Sequence, residues 1–245
     1  MSPIVIASGS LILIGLFLLM LHKKRITLYL TRILFGNYSY QYVTRYKAYV
    51  LRSPYPPCIS EDLMVRCFHF IDIDPKTKSY ATKTPISFGS FSFFEKFATI
   101  KNKTQPDYFN IYKLSDTTTV KIIGYKAEMF GDEIREIYYF MNDIFFMGEY
   151  SFSDGSEFTN KKLVEMLTSK YNINGVEKDR EFYIKDTEES LIYFNNNGFS
   201  TSIQYINTKR EYVNEVWDTY FRKVIKKDPD TFSKAENESI LFAKL

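Results

Sequence analysis

Few residues in this chain have the type and spacing that chemistry requires. Cys58, Cys67 and His69, joined by a carboxylate, would offer the thiolate and imidazole ligands of a tetrahedral zinc site, and on a strand Cys67 and His69 share a face. The spacing lacks a paired C-x-x-C, and the other of the 2 histidines, His22, stands at the end of an apolar run. An ordinary strand accounts for these residues, and no metal site is assigned. The same shortage of histidine removes most hydrolase triads and gives a cysteine–histidine nucleophile pair no better footing.

Asp72-Ile73-Asp74 has the form of the D-x-D with which many nucleotide-sugar transferases hold a divalent metal. It follows no βαβ alternation with a glycine-rich turn, and it is read as a strand-end turn. No glycine loop able to cradle a phosphate occurs, so no cofactor is expected. The acidic pairs Asp132-Glu133 and Glu188-Glu189 fall in turns, where solvated carboxylates are common. The sequons at Asn37, Asn102 and Asn237 would matter only in a lumenal setting.

The elements that must position any site begin with the run Ile4–Leu21, eighteen residues without a charge, followed by His22-Lys23-Lys24-Arg25. At about 1.5 Å per residue it reaches roughly 27 Å, close to the hydrocarbon thickness of a thin bilayer. Positive charge after the run and none before it speak against a cleaved signal. The sequence therefore predicts a transmembrane helix in a single-pass protein of the plasma (inner) membrane, continuing through Ile26–Phe35 along the interface to a stop at Gly36-Asn37. Lys23, Lys24, Arg25 and Arg32 are the expected membrane-surface residues, with lipid as the first partner. Seven cationic residues lie between Lys23 and Arg52 before the first acidic one, Glu61. That bias places the body in the cytoplasm, with an outward-facing body as the alternative.

The net charge of +3 conceals this asymmetry: without those seven, 25 cations face 29 acids. An acidic body is not a nucleic-acid binder. Its 22 Phe and 20 Tyr suit a strand-rich core, and 10 Gly and 8 Pro, unclustered, argue against a long linker.

Three regions are expected: 1–36 as anchor and interfacial helix, 37–118 as a strand-rich first part of the body, and 119–245 as a βββαβββ unit with a C-terminal helix. Residues 38–53 alternate tyrosines as a strand does, although Tyr42, Tyr46 and Tyr49 also recur at helical spacing. Residues 63–73 read as a strand with 79–86 as its return. Phe88, Phe91, Phe94 and Phe97 suggest a short helix over 88–100 with one apolar face. From Thr119 the pattern sharpens. Strands are predicted over 119–130, 133–141 and 144–152, with hairpin turns at Gly131-Asp132 and Asn142-Asp143. A helix capped by Thr159 carries Leu163, Val164, Met166, Leu167 and Tyr171, and strands follow at 181–186, 189–195 and 198–206. A last amphipathic helix, 209–227, would dock Trp217, and an apolar ending, Ile240–Phe242, follows it. The fold class is thus α+β: a transmembrane helix, then an antiparallel sheet with helices on one face.

With no reactive set in view, the chain reads as a membrane-anchored module, not an enzyme, that binds another protein. An immunity-type protein neutralising a toxin at the membrane, and an enzyme using dispersed carboxylates, are the alternatives. Partner contacts are expected from Phe88, Phe91 and Phe94 on the aromatic stripe, and from Tyr139, Tyr193 and Tyr205 on a sheet with one open face. Alternation divides Tyr139, Met141, Phe146, Tyr193 and Tyr205 between the two faces.

Overall fold

The structure is a computed structural model that describes residues 22–58, 76–101, 105–113, 116–153, 155–176 and 179–208. The chain divides at Pro56/Pro57 into two compact units.

The described part of the first unit is helical. Helix α1 covers residues 22–35 and stops at Gly36, whose φ of 84° is the left-handed conformation of a C-terminal cap and whose N–H bonds to Arg32 O at 2.9 Å. Residues Tyr40–Val50 form helix α2 where tyrosine alternation suggested a strand. Local chemistry decides this. The Ser39 hydroxyl accepts the Tyr42 N–H at 3.1 Å, Tyr42 and Tyr46 lie one turn apart with ring centres at 6.0 Å, and Leu51 closes the helix at φ 61°.

The expected membrane architecture requires correction. Among the described residues no helix is long and apolar enough to cross a membrane. Helix α1 carries Lys23, Lys24, Arg25 and Arg32, all exposed, and the run Ile4–Leu21 lies outside the described residues. Neither the transmembrane helix nor the single-pass, signal-anchor assignment built on it is supported.

The second unit is organised on one eight-stranded sheet. Its elements, in chain order, are β1 (Lys78–Ala81), α3 (Phe97–Lys101), β2 (Tyr108–Lys113), β3 (Thr119–Met129), β4 (Asp132–Met141), β5 (Ile144–Phe152), α4 (Glu157–Tyr171), β6 (Glu181–Lys185), β7 (Ser190–Asn196) and β8 (Thr201–Asn207). Strand order across the sheet is β1-β6-β7-β8-β5-β4-β3-β2. Two antiparallel meanders, β2 to β5 and β6 to β8, join where β5 pairs with β8, and α4 carries the chain from one to the other. The sheet is mixed, not antiparallel as expected: β1 lies parallel to β6, with Tyr80 opposite Ile184. Residues 59–75, which hold the strand to which 79–86 was to return, lie outside the described residues, as do Cys67, His69, Asp72, Asp74, Asn102, Asn237 and the segment 209–245.

The hairpins follow turn chemistry. Phe130-Gly131 (φ 58° and 91°) and Asn142-Asp143 (φ 47° and 67°) are two-residue loops with both residues left-handed, as a type I′ turn demands. The first lies one residue earlier than expected. Helix α4 is capped by Ser156, not Thr159. The Ser156 hydroxyl accepts the Thr159 N–H at 3.3 Å, and Thr159 is buried in the first turn.

Strand register sorts the side chains. Tyr138, Gly148, Tyr205 and Ile192 stand opposite one another in successive strands and share one face. Over it lie α4 and the segment 86–101. Asn196 Nδ2, on this face, donates to Asn160 Oδ1 of α4 at 3.1 Å, and Phe88 lies against Tyr138, Tyr150 and Tyr205. Tyr139, Met147, Glu149, Gln204 and Tyr193 share the opposite face, and all are buried. The central strands are therefore buried on both sides, and no face is open over them.

Segment 86–101 is mostly not a helix. Gly89 (φ 58°) and Phe94 (φ 72°) are left-handed, and only α3 is wound. Its backbone bonds instead to the start of β5: Phe94 N–H to Phe145 O at 2.8 Å, and Phe145 N–H to Glu95 O at 2.9 Å. The phenylalanines at regular threes thus reach the sheet one by one instead of through a helical face.

Candidate functional site

The segment that Phe88 fixes is one wall of a cleft. Gly148 in β5 lacks the β-carbon that would collide with the Phe88 ring at 2.2 Å, so the ring occupies that space and is wholly buried. Gly89 and Ser90 follow, and Phe91 turns to Tyr138 with ring centres at 5.7 Å. Between this wall and strands β3 and β4 opens a cleft of about 530 Å³ lined by Phe91, Ile100, Tyr125 and Tyr138 with Ser90, Gln105, Glu136, Asp107 and Lys126.

Strand alternation brings Glu136 and Tyr138 to one side, where the Tyr138 hydroxyl donates to Glu136 Oε1 at 2.7 Å. Burial, then the neighbouring Glu136 carboxylate, push the Tyr138 phenol far above its ordinary value, and the same two causes raise Tyr150. Both are hydrogen-bonding phenols at any physiological pH. Asp107 Oδ2 accepts the Lys126 N–H at 2.9 Å, while the Lys126 ammonium lies 3.0 Å from Glu133.

A second feature occupies one end of the sheet. Phe130 in the β3–β4 turn, Phe158 in the first turn of α4 and Phe199 in the β7–β8 turn are 43%, 64% and 72% exposed. Lys162 Nζ stands 4.0 Å from the Phe158 ring centre and 5.3 Å from that of Phe130. The β7–β8 turn packs on Gly155, where an added β-carbon would meet Gly198 and Phe199 at 2.6 and 2.8 Å. One end of the sheet therefore carries three exposed phenylalanines and a cation.

Of the six residues expected at a partner surface, Phe88, Phe91, Tyr139, Tyr193 and Tyr205 are buried and Phe94 is half-buried. Phe88, Phe91 and Tyr205 come to one face. Tyr139, whose hydroxyl donates to Glu149 Oε2 at 2.7 Å, and Tyr193, which donates to Glu181 Oε1 at 2.6 Å, belong to the other. These side chains build the core, since large aromatic surface is removed from water wherever strands pack on both sides.

Sequence reasoning passed over Glu136 and Glu149, although each breaks an apolar strand run at a position alternation assigns to a face. It also passed over Phe130, Phe158 and Phe199, because turns and a helix start carry no periodic signal. Among the described residues no group of three or more His, Cys, Asp or Glu could hold a metal ion. Cys58 is buried, with its thiol pushed far up by that burial despite the opposing Asn110 and Arg135. The chain matches no protein-family model, no curated protein and no solved structure.

Proposed function

We propose that this chain is a protein-binding module without catalytic activity of its own. The observation that carries the reading is the end of the sheet where Phe130, Phe158 and Phe199 face solvent, with Lys162 over the first two. Burying a fully exposed phenylalanine is worth about 1.5–3 kcal/mol, of which these rings, 43% to 72% exposed, have the corresponding fraction still to gain, and aromatic anchors of this kind dominate interface energetics. The occupant is a different protein that offers an apolar socket edged by carboxylates, because the Lys162 ammonium lies over two of the rings and calls for an anion opposite. The non-catalytic part draws on the reactive groups in view. The Cys58 thiol is buried and raised, and the cleft phenols of Tyr138 and Tyr150 are raised, so none is a ready nucleophile or base near neutrality.

The test compares the full chain with a Phe130→Ser/Phe158→Ser/Phe199→Ser variant, purified from the native host and followed by quantitative mass spectrometry. A stoichiometric partner retained by the wild type and lost by the variant, with unchanged circular dichroism and melting temperature, is the expected result. Equal recovery of that partner overturns the reading. So does a wild type that self-associates where the variant is monomeric, since the occupant is then a second copy.

A further inference from the structure

The cleft against β3 and β4 combines aromatic walls with carboxylates. Its walls are aromatic: Phe91, Tyr125 and Tyr138, with the Tyr138 ring edge-on to each of the others at 5.7 and 5.9 Å between centres. Its polar lining holds two carboxylates, Glu136 and Asp107, beside Ser90, Gln105 and Lys126. Glu136 is hydrogen-bonded by the Tyr138 hydroxyl and by that of Tyr150, Asp107 accepts the Lys126 backbone N–H, and neither carboxylate has a cation within 4 Å among the described residues. The ammonium of Lys126, the cation that lines the cleft, is held at 3.0 Å by Glu133.

We propose that this cleft binds the guanidinium group of an arginine side chain presented by a polypeptide partner. A cation gains from the negative faces of aromatic rings as well as from the carboxylates. A guanidinium suits the walls better than an ammonium. It is flat and stacks on rings, it is more weakly hydrated, and its five donors in a fixed fork can reach Glu136 and Asp107 from one position, whereas an ammonium is a compact point charge with three. The volume of about 530 Å³ exceeds what a guanidinium fills, leaving room for the aliphatic stem and adjoining backbone. This inference stands on residues separate from the exposed phenylalanines and fails separately from them.

The experiment titrates the full chain with N-acetyl-L-arginine methylamide and follows tyrosine ring signals by NMR. The neutral isostere N-acetyl-L-citrulline methylamide, the corresponding lysine derivative and free L-arginine run in parallel. Saturable shifts with a Kd of about 1 mM or tighter are expected for the arginine derivative, at least about tenfold weaker for citrulline and weaker for lysine, and not tighter for free arginine. Glu136→Gln, whose amide oxygen still accepts from Tyr138, weakens binding about tenfold or more while the protein stays folded by circular dichroism, and Glu136→Asp recovers part of the loss. Equal binding of citrulline, or no saturation, overturns the site. Lysine binding as tight as arginine overturns the guanidinium assignment, and tighter binding of free arginine overturns the polypeptide source. Unchanged binding in Glu136→Gln/Asp107→Asn shows that the carboxylates play no part and also overturns the site.

Discussion

Gly148→Ala tests the seat of the Phe88 ring, on which the cleft wall depends. The added methyl would lie 2.2, 2.3 and 2.7 Å from three ring carbons, where van der Waals contact needs about 3.5 Å or more. The ring has to retreat by more than about 1 Å, yet it is wholly buried and hemmed in by Tyr150, Tyr138, Tyr205 and Phe145 at 4.6 to 6.2 Å between centres. Overpacking of this kind costs about 1–3 kcal/mol, and the crowding places the expected loss at the upper end. Phe88→Ala alone costs about 3–5 kcal/mol through lost burial and the cavity left behind. In the Phe88→Ala background the new methyl enters vacated space, so Gly148→Ala becomes neutral or stabilising there. The double-mutant cycle should then show a coupling of about 2–3 kcal/mol. Urea unfolding of the four proteins, with midpoints and slopes fitted separately, measures it. If Gly148→Ala costs the same in both backgrounds, the ring does not lie on Gly148 and that contact does not fix the cleft wall.

Three further outcomes are expected. Burial acts to raise the Asp179 carboxyl but is outweighed by Lys78 Nζ at 2.6 Å and the Tyr80 hydroxyl, so its pKa is lowered from 3.8. The stabilisation this gives the β1 edge is therefore present above that value and lost as pH falls through the lower folded value. Asp179→Asn should lower the melting temperature near neutrality and match the wild type once the pH lies below the lowered folded value, and a deficit that persists in acid would show that the charge is not the cause. Glu149→Leu leaves the Tyr139 hydroxyl and Gln204 Nε2 without the carboxylate that accepts from both, at 2.7 and 3.3 Å. A loss of about 2–5 kcal/mol in urea unfolding is expected, and wild-type stability would rule out that buried network. In a Cys67→Ser background the buried, raised thiol of Cys58 should resist maleimide in the native protein and react fully in denaturant, so rapid native labelling would contradict its burial.

Local chemistry written in consecutive residues could be read directly. The turn residues Asn142-Asp143, the alternation from Thr119 to Phe152 and the apolar stripe Leu163, Val164, Leu167, Tyr171 mark strands and a helix that the structure contains, because hairpin turns and amphipathic periods depend on near neighbours alone. Where two local signals competed, at Tyr38 to Val50, an N-cap at Ser39 settled the matter in favour of a helix. Only the tertiary structure decided the remainder. The parallel pairing of Lys78–Ala81 with β6 joins residues about a hundred positions apart, and nothing in either run announces the other. The same holds for burial. Tyr139 and Tyr193 look like contact residues in a strand, yet whether a sheet face meets solvent depends on what packs over it. Phe88 illustrates the reason most directly: its spacing with Phe91 and Phe94 suggested a helical stripe, but its place was set by the missing side chain of Gly148, sixty positions later, where only a glycine leaves room for the ring.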